Sequence, residues 1–94
     1  MTKRTALVTG GTGGIGTAII KRLARAGHRV ATNYRDEAKA RAWAAKLAEE
    51  GIEVFLARGD VGDTAQAAAM VAEVEAGIGP VEILVNNAGI TRDT

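Results

Sequence analysis

The stretch Thr5-Ala6-Leu7-Val8-Thr9-Gly10-Gly11-Thr12-Gly13-Gly14-Ile15-Gly16 decides how this chain folds. Thr5 to Thr9 is a short apolar run that stops at glycines, the pattern of a strand buried on both faces of a parallel sheet. From Ile15 the period changes to that of a helix. Ile15, Ala18, Ile19, Leu23 and Ala26 are expected on its buried face, with Lys21, Arg22 and Arg25 on the other. Between strand and helix lies the glycine loop. A phosphate needs backbone N–H groups aimed at it and no side chains in the way. A glycine loop opening onto a helix N-terminus provides both, together with the positive end of the helix dipole.

The loop fits two registers. Gly11, Gly13 and Gly16 match G-x-G-x-x-G, while Gly10, Gly14 and Gly16 match T-G-x-x-x-G-x-G. Alone, either motif is a weak signal; directly after a strand and inside the start of a helix, it is the dinucleotide fingerprint. No Gly-Lys-Ser/Thr closes the loop, which speaks against a mononucleotide P-loop. The competing reading is that the glycines only permit tight helix-on-strand packing, but five glycines between Gly10 and Gly16 exceed what packing needs.

Working outward, the same alternation repeats. Gly27 supplies a left-handed helix stop, and Arg29 to Tyr34 reads as the second strand. Asp36 caps a second helix running to about Glu50, with Trp43 and Leu47 stacked at i,i+4, and Gly51 ends it. Glu53 to Ala57 is the third strand. Asp63 caps a third helix with a buried stripe of Ala67, Val71, Val74 and Ile78, and Met70 in the core or at its rim. Gly79-Pro80 breaks that helix, and Val81 to Val85 forms the fourth strand, ending at Asn86-Asn87. The order β-α-β-α-β-α-β predicts an α/β, Rossmann-type parallel sheet with right-handed crossovers and strand order 3-2-1-4. Residues 1–94 read as one unit, without linker or repeat.

In a doubly wound sheet the ligand lies across the carboxyl ends of the strands. Three such ends carry polar groups: Asn33-Tyr34-Arg35, Gly59-Asp60-Val61 and Asn86-Asn87-Ala88-Gly89. Asp60 is a candidate acceptor for an adenine amino group, or else a cap for local backbone. Asn87 either contacts the cofactor or locks the sheet by bonding neighbouring backbone. Cofactor choice turns on the second strand, where an NAD site places a carboxylate for the ribose hydroxyls. Asn33 and Tyr34 occupy that tip, and Arg35 can fork onto a 2′-phosphate, with Lys39 a turn further on as a second cation. Asp36 suits the helix cap better than the NAD acid. NADP is favoured over NAD.

Composition bounds the rest. The 94 residues are 47% hydrophobic with only Phe55, Tyr34 and Trp43 as aromatics, so the core is built from Ala, Val, Ile and Leu. A net charge of +1 provides no long-range field for nucleic acid or an anionic membrane. The absence of cysteine excludes disulfides, Cys-ligated zinc and thiol catalysis and is compatible with the cytoplasm. No segment approaches the ~18 apolar residues of a membrane helix. His28 lies in a turn with no partner nearby in sequence and reads as a surface residue.

Thr9-Gly10-x-x-x-Gly14-x-Gly16, Asp60 and Asn86-Asn87-Ala88-Gly89 together resemble the short-chain dehydrogenase/reductase family over the whole chain. Within it, Val8-Thr9-Gly10-Gly11, Gly13-Gly14-Ile15-Gly16 and Asn87-Ala88-Gly89-Ile90-Thr91-Arg92-Asp93 are similar to the NADPH-dependent acetoacetyl-CoA reductases of polyhydroxybutyrate synthesis, and 3-oxoacyl-carrier-protein reductases share much of this pattern. The resemblance implies a cofactor site formed by Gly10, Gly11, Thr12, Gly13, Gly14, Ile15, Gly16, Asn33, Tyr34, Arg35, Gly59, Asp60, Val61, Asn87, Ala88, Gly89, Ile90 and Thr91. It also implies catalysis by a Ser, a Tyr-x-x-x-Lys pair and an Asn beyond the fourth strand. This chain has no serine, and its one tyrosine, Tyr34, is followed four residues later by Ala38. The expectation is therefore a dinucleotide-binding portion ending after the fourth strand, inactive alone, with acyl-CoA a substrate only of a longer parent. An alternative is a non-catalytic nucleotide-binding or structural module. The fourth strand, left as an open edge, is expected to support self-association.

Overall fold

A computed structural model of the chain describes residues 3–60 and 62–87. Its elements are β1 (Thr5–Thr9), α1 (Gly14–Arg25), β2 (Arg29–Tyr34), α2 (Glu37–Glu49), β3 (Val54–Arg58), α3 (Thr64–Ile78) and β4 (Val81–Asn86). All the strand pairs are parallel, in the order β3-β2-β1-β4. This is the architecture read from the sequence. Val61 and Ala88, Gly89, Ile90 and Thr91 lie outside the described residues.

Two cores sandwich the sheet. Leu7, Ala31 and Ala57 pack with Met70 and Val74 of α3 on one face. Val8 and Val30 pack with Ile20 of α1 and Leu47 of α2 on the other. Successive strand residues point to opposite faces, so β1 serves both cores and is buried at all five positions. Side chains such as Leu7 and Ile20, fully removed from water, contribute roughly 1.5–3 kcal/mol each.

The helix boundaries follow local chemistry. Gly27 (φ 96°) and Gly51 (φ 81°) end α1 and α2 in the left-handed region. Asp36 and Asp63 cap α2 and α3, accepting from the N–H groups of Lys39 at 3.2 Å and Gln66 at 3.0 Å. On α2 an exposed Glu37–Arg41 pair at 2.7 Å raises the guanidinium pKa further, chiefly through its hydrogen bond to the carboxylate.

One expected face requires correction. Ile15 is 55% exposed, and Ala18 and Ala26 are exposed too. The buried line of α1 is instead Gly16 and Ile20, flanked by Ile19, Leu23 and Ala24. The helix is rotated so that Gly16 meets the loop, because only a residue without a side chain fits there. β3 begins at Val54 rather than Glu53, and β4 extends to Asn86. Pairing between β1 and β4 shifts register between Thr5 and Ala6, which puts both Val81 and Leu84 on the α3 face. Leu84, beside Leu7, is nonetheless 64% exposed at the sheet edge.

Candidate cofactor site

The strand order reverses between β1 and β4, and the glycine loop sits directly above that point. Gly10 takes φ 67°, turning the chain out of β1. Its N–H donates to Asn33 Oδ1 at 2.8 Å, and the next N–H, of Gly11, donates to Thr32 Oγ1 at 2.9 Å. The Thr32 hydroxyl in turn donates to the Val8 carbonyl at 2.6 Å. From the opposite side Asn87 Nδ2 donates to the Gly10 carbonyl at 3.0 Å. The tips of β2 and β4 thus clamp the loop.

The glycines divide into two kinds. A Cβ on Gly11 would overlap Ile20 and Thr32; one on Gly16 would lie 2.5 Å from the Gly10 carbonyl oxygen and 2.9 Å from Asn87 Nδ2. Packing therefore demands glycine at both. A Cβ on Gly14 meets nothing within 4 Å, and one on Gly13 meets only the Gly10 oxygen at 3.7 Å, an ordinary contact. The protein's own packing does not require glycine at these two positions. Both are exposed, as are Thr12 and Ile15.

The start of α1 differs from the other two helices. Its N-cap, Gly13, offers no side-chain bond, and the first intrahelical bond runs from Thr17 N–H to the Gly13 carbonyl at 2.8 Å. The N–H groups of Gly14, Ile15 and Gly16 belong to the turn that has no intrahelical acceptor. No acidic residue lies in that turn. It is an electropositive end fronted by positions where side chains are missing without a packing reason.

Beside the loop, a cleft of about 410 Å³ is lined by Thr12, Tyr34, Arg35, Asp36, Lys39, Ala40 and Trp43. Arg35 is 78% exposed and lies 3.6 Å from Asp60 across the β2 and β3 tips. Among the described residues Lys39 has no acidic partner. A cleft of about 660 Å³, lined in part by Lys3, Arg29 and Glu53, lies at the amino ends of the strands, away from the loop. The glycine loop and the Arg35 cleft share one mouth, at the carboxyl ends.

Within the described residues, the expected site residues take these places. Asn33, read as a tip residue facing ligand, turns its amide inward: it accepts from Gly10 and donates to the Gly59 carbonyl at 3.0 Å, so it fastens three strand tips together. Asp60 accepts from Gly62 N–H at 2.8 Å through one oxygen, the backbone-capping role, and faces Arg35 with the other. Asn87 is buried and bonds loop backbone, while its Oδ1 has no hydrogen-bond partner among the described residues. His28 accepts from Arg4 N–H at the far end of the sheet. Among the described residues no group of His, Asp and Glu could hold a metal ion, and no helix is long and apolar enough to cross a membrane.

Three contributors were not read from the sequence. Thr32 and Thr17 carry hydroxyls that bond the loop, and Trp43 Nε1–H donates to Thr17 Oγ1 at 2.9 Å. The one available signal was Trp43 itself, since a partly buried indole N–H seeks an acceptor.

Comparison with known proteins agrees with this fold. The family described as short chain dehydrogenase matches residues 4–94. Nodulation protein G of Azospirillum brasilense is 50% identical over 94 residues, covering 99% of this chain and 38% of that protein. Acetoacetyl-CoA reductase of Allochromatium vinosum is 47% identical, covering 96% of this chain and 37% of its own length. A 3-oxoacyl-(acyl-carrier-protein) reductase of Staphylococcus aureus is 44% identical, covering 99% and 38%. The crystal structure of an actinorhodin polyketide ketoreductase variant with NADPH superposes with a TM-score of 0.84 at 41% identity, over 90% of this chain and 33% of that one. The chain thus spans under two-fifths of the relatives it matches.

Proposed function

The chain belongs to the short-chain dehydrogenase family, and from that premise we propose that it is the NADP(H)-binding portion of a ketoreductase that reduces acetoacetyl-CoA to 3-hydroxybutyryl-CoA. The observation that carries the binding half is the pair Gly13 and Gly14. Among the described residues nothing would obstruct a Cβ at Gly14, yet glycine stands there, in front of an uncapped helix start. Close approach of a pyrophosphate accounts for both facts.

The described residues at the mouth of the sheet support this reading. Gly14, Ile15 and Gly16 present N–H groups to the pyrophosphate, and the adenosine lies between Arg35 and Asp60. Arg35 and Lys39 face the 2′-phosphate, where a guanidinium forks onto phosphate oxygens. Ala88, Gly89, Ile90 and Thr91 are further cofactor residues by resemblance. When bound, the nicotinamide supplies hydride to a ketone carbon. This chain holds and orients the dinucleotide; the proton donor and the groups aligning the ketone come from residues it does not contain, for it has no serine and no Tyr-x-x-x-Lys. Identity of 47% to an acetoacetyl-CoA reductase supports the acyl-CoA substrate. Identity of 44% to an acyl-carrier-protein reductase supports a second reading, in which the same ketone arrives on a carrier protein.

Calorimetric titration with NADP⁺ and NAD⁺ tests the cofactor assignment. NADP⁺ should bind more tightly, and Arg35→Ala should weaken it by roughly 1–3 kcal/mol, the scale of a lost charge-assisted bond, while leaving NAD⁺ little changed. Equal losses for both cofactors would refute the assignment of Arg35 to the 2′-phosphate.

A further inference from the structure

The pyrophosphate and the 2′-phosphate of NADP⁺ are joined covalently, so the two subsites that receive them must be held at a fixed separation. In this chain they belong to different elements. The first is the glycine loop and the start of α1; the second is the β2 tip and the first turns of α2, with Arg35 just before the helix and Lys39 within it.

One side chain bridges them at the mouth of the sheet. Trp43 follows Lys39 by one helical turn on α2, and its ring lines the Arg35 cleft while also packing on the α1–α2 core. Its Nε1–H donates to Thr17 Oγ1 at 2.9 Å. The Thr17 hydroxyl has a single hydrogen to give, with the Gly13 carbonyl at 2.6 Å and the Gly11 carbonyl at 3.1 Å as acceptors. A continuous path therefore runs from the indole through one hydroxyl into the backbone of the phosphate loop. The other polar links between α1 and the end of α2, Lys21 and Arg25 to Glu50, lie at the opposite end of the helices.

We infer that Trp43 is a specificity-determining positioning residue: by bonding Thr17 it sets the 2′-phosphate subsite at the correct distance from the glycine loop. The inference rests on the NADP reading above. The ring's apolar packing orients α2 against the sheet, and the N–H fixes α2 against the loop. Losing the N–H alone should therefore affect the ligand that touches both subsites more than the ligand that touches one.

The test is calorimetric binding of NADP⁺ and NAD⁺ to the chain and to Trp43→Phe, Thr17→Val, Thr17→Ser and the Trp43→Phe/Thr17→Val double variant. Trp43→Phe keeps an aromatic ring and should weaken NADP⁺ about fivefold, the scale of one hydrogen bond, with NAD⁺ changed less than about twofold. In the Thr17→Val background the same substitution should no longer alter the NADP⁺/NAD⁺ ratio, because its acceptor is gone. Thr17→Ser should restore the ratio of the unsubstituted chain. Equal losses for both cofactors, or an undiminished Trp43→Phe effect with Thr17→Val present, would overturn the inference and leave Trp43 a packing residue. If Trp43→Phe does not fold, Thr17→Val alone decides, since it removes the acceptor and leaves the indole; an unchanged ratio there overturns the inference. Failure of the underlying reading is separately visible, as an unsubstituted chain that does not favour NADP⁺.

Discussion

The Asn87 amide nitrogen lies 3.0 Å from the Gly10 carbonyl oxygen, joining the end of β4 to the first residue of the glycine loop across the point where strand order reverses. Gly16 closes against the same pair, so that loop, helix start and strand tip meet at one contact. Asn87→Ala should lower stability by about 1 kcal/mol, one net hydrogen bond, and should loosen the loop. Asn87→Asp keeps the shape but sets a carboxylate against a carbonyl oxygen in a buried place, and should cost more. Thermal unfolding midpoints of the two variants give the order; an Asp variant as stable as the Ala variant would contradict it.

Gly11→Ala and Gly16→Ala should each destabilise by roughly 1–3 kcal/mol, because the added methyl has no room and the two nearest atoms at Gly16 are backbone. Denaturant unfolding of both, beside Gly14→Ala as the open position, measures the contrast. Similar stabilities for all three would mean that the close approach of α1 to β1 is not as described.

The alternation of strands and helices was legible because each strand has a short apolar centre and each helix begins or ends at a residue with one clear job, as Asp36, Asp63, Gly27 and Gly51 do. The rotation of α1 was not. Its buried line runs through Gly16, which no hydrophobicity pattern counts as apolar, and the reason it is buried lies in Gly10 and Asn87. The same distance in sequence hid the use of Asn33. An amide at a strand tip reads as a ligand contact until its two partners, Gly10 and Gly59, are brought beside it by the sheet. The glycine motif needed no such help, since its residues are adjacent in sequence, although Thr32, Asn33 and Asn87 hold the loop from a distance.

The Arg35–Asp60 pair is exposed and should contribute little to stability, within about 1 kcal/mol. Asp60→Asn should therefore leave the unfolding midpoint nearly unchanged, while raising NADP⁺ affinity relative to NAD⁺, because Arg35 is released to the phosphate. Titrations at low and high salt check this: the gain should shrink as salt screens the charges. A fall in NADP⁺ affinity without a change for NAD⁺ would show that Asp60 orients Arg35 rather than competing for it.

Among the described residues β4 pairs on one side only, with β1, and carries Leu84 at 64% exposure. An edge strand with free backbone groups and an exposed leucine invites pairing with a second chain. Sedimentation at rising concentration should reveal self-association that Leu84→Lys reduces. A monomer at all concentrations would mean that this edge is covered.

The purified chain should not reduce acetoacetyl-CoA with NADPH, since it has no serine and no Tyr-x-x-x-Lys to protonate the developing alkoxide. Loss of absorbance at the reduced nicotinamide band is the readout. Turnover above the uncatalysed rate would demand a catalytic group not identified among these residues.

The central claim is that the glycine loop is open at Gly14 for a phosphate and not for packing. It is tested most directly by titrating NADP⁺ into the chain and into Gly14→Leu, with the unfolding midpoint of each recorded alongside. The expected result is binding by the unsubstituted chain, its loss in Gly14→Leu, and unfolding midpoints that stay close, because a Cβ there meets none of the described neighbours within 4 Å. Equal NADP⁺ affinity in both proteins, or none in the unsubstituted chain, would contradict it.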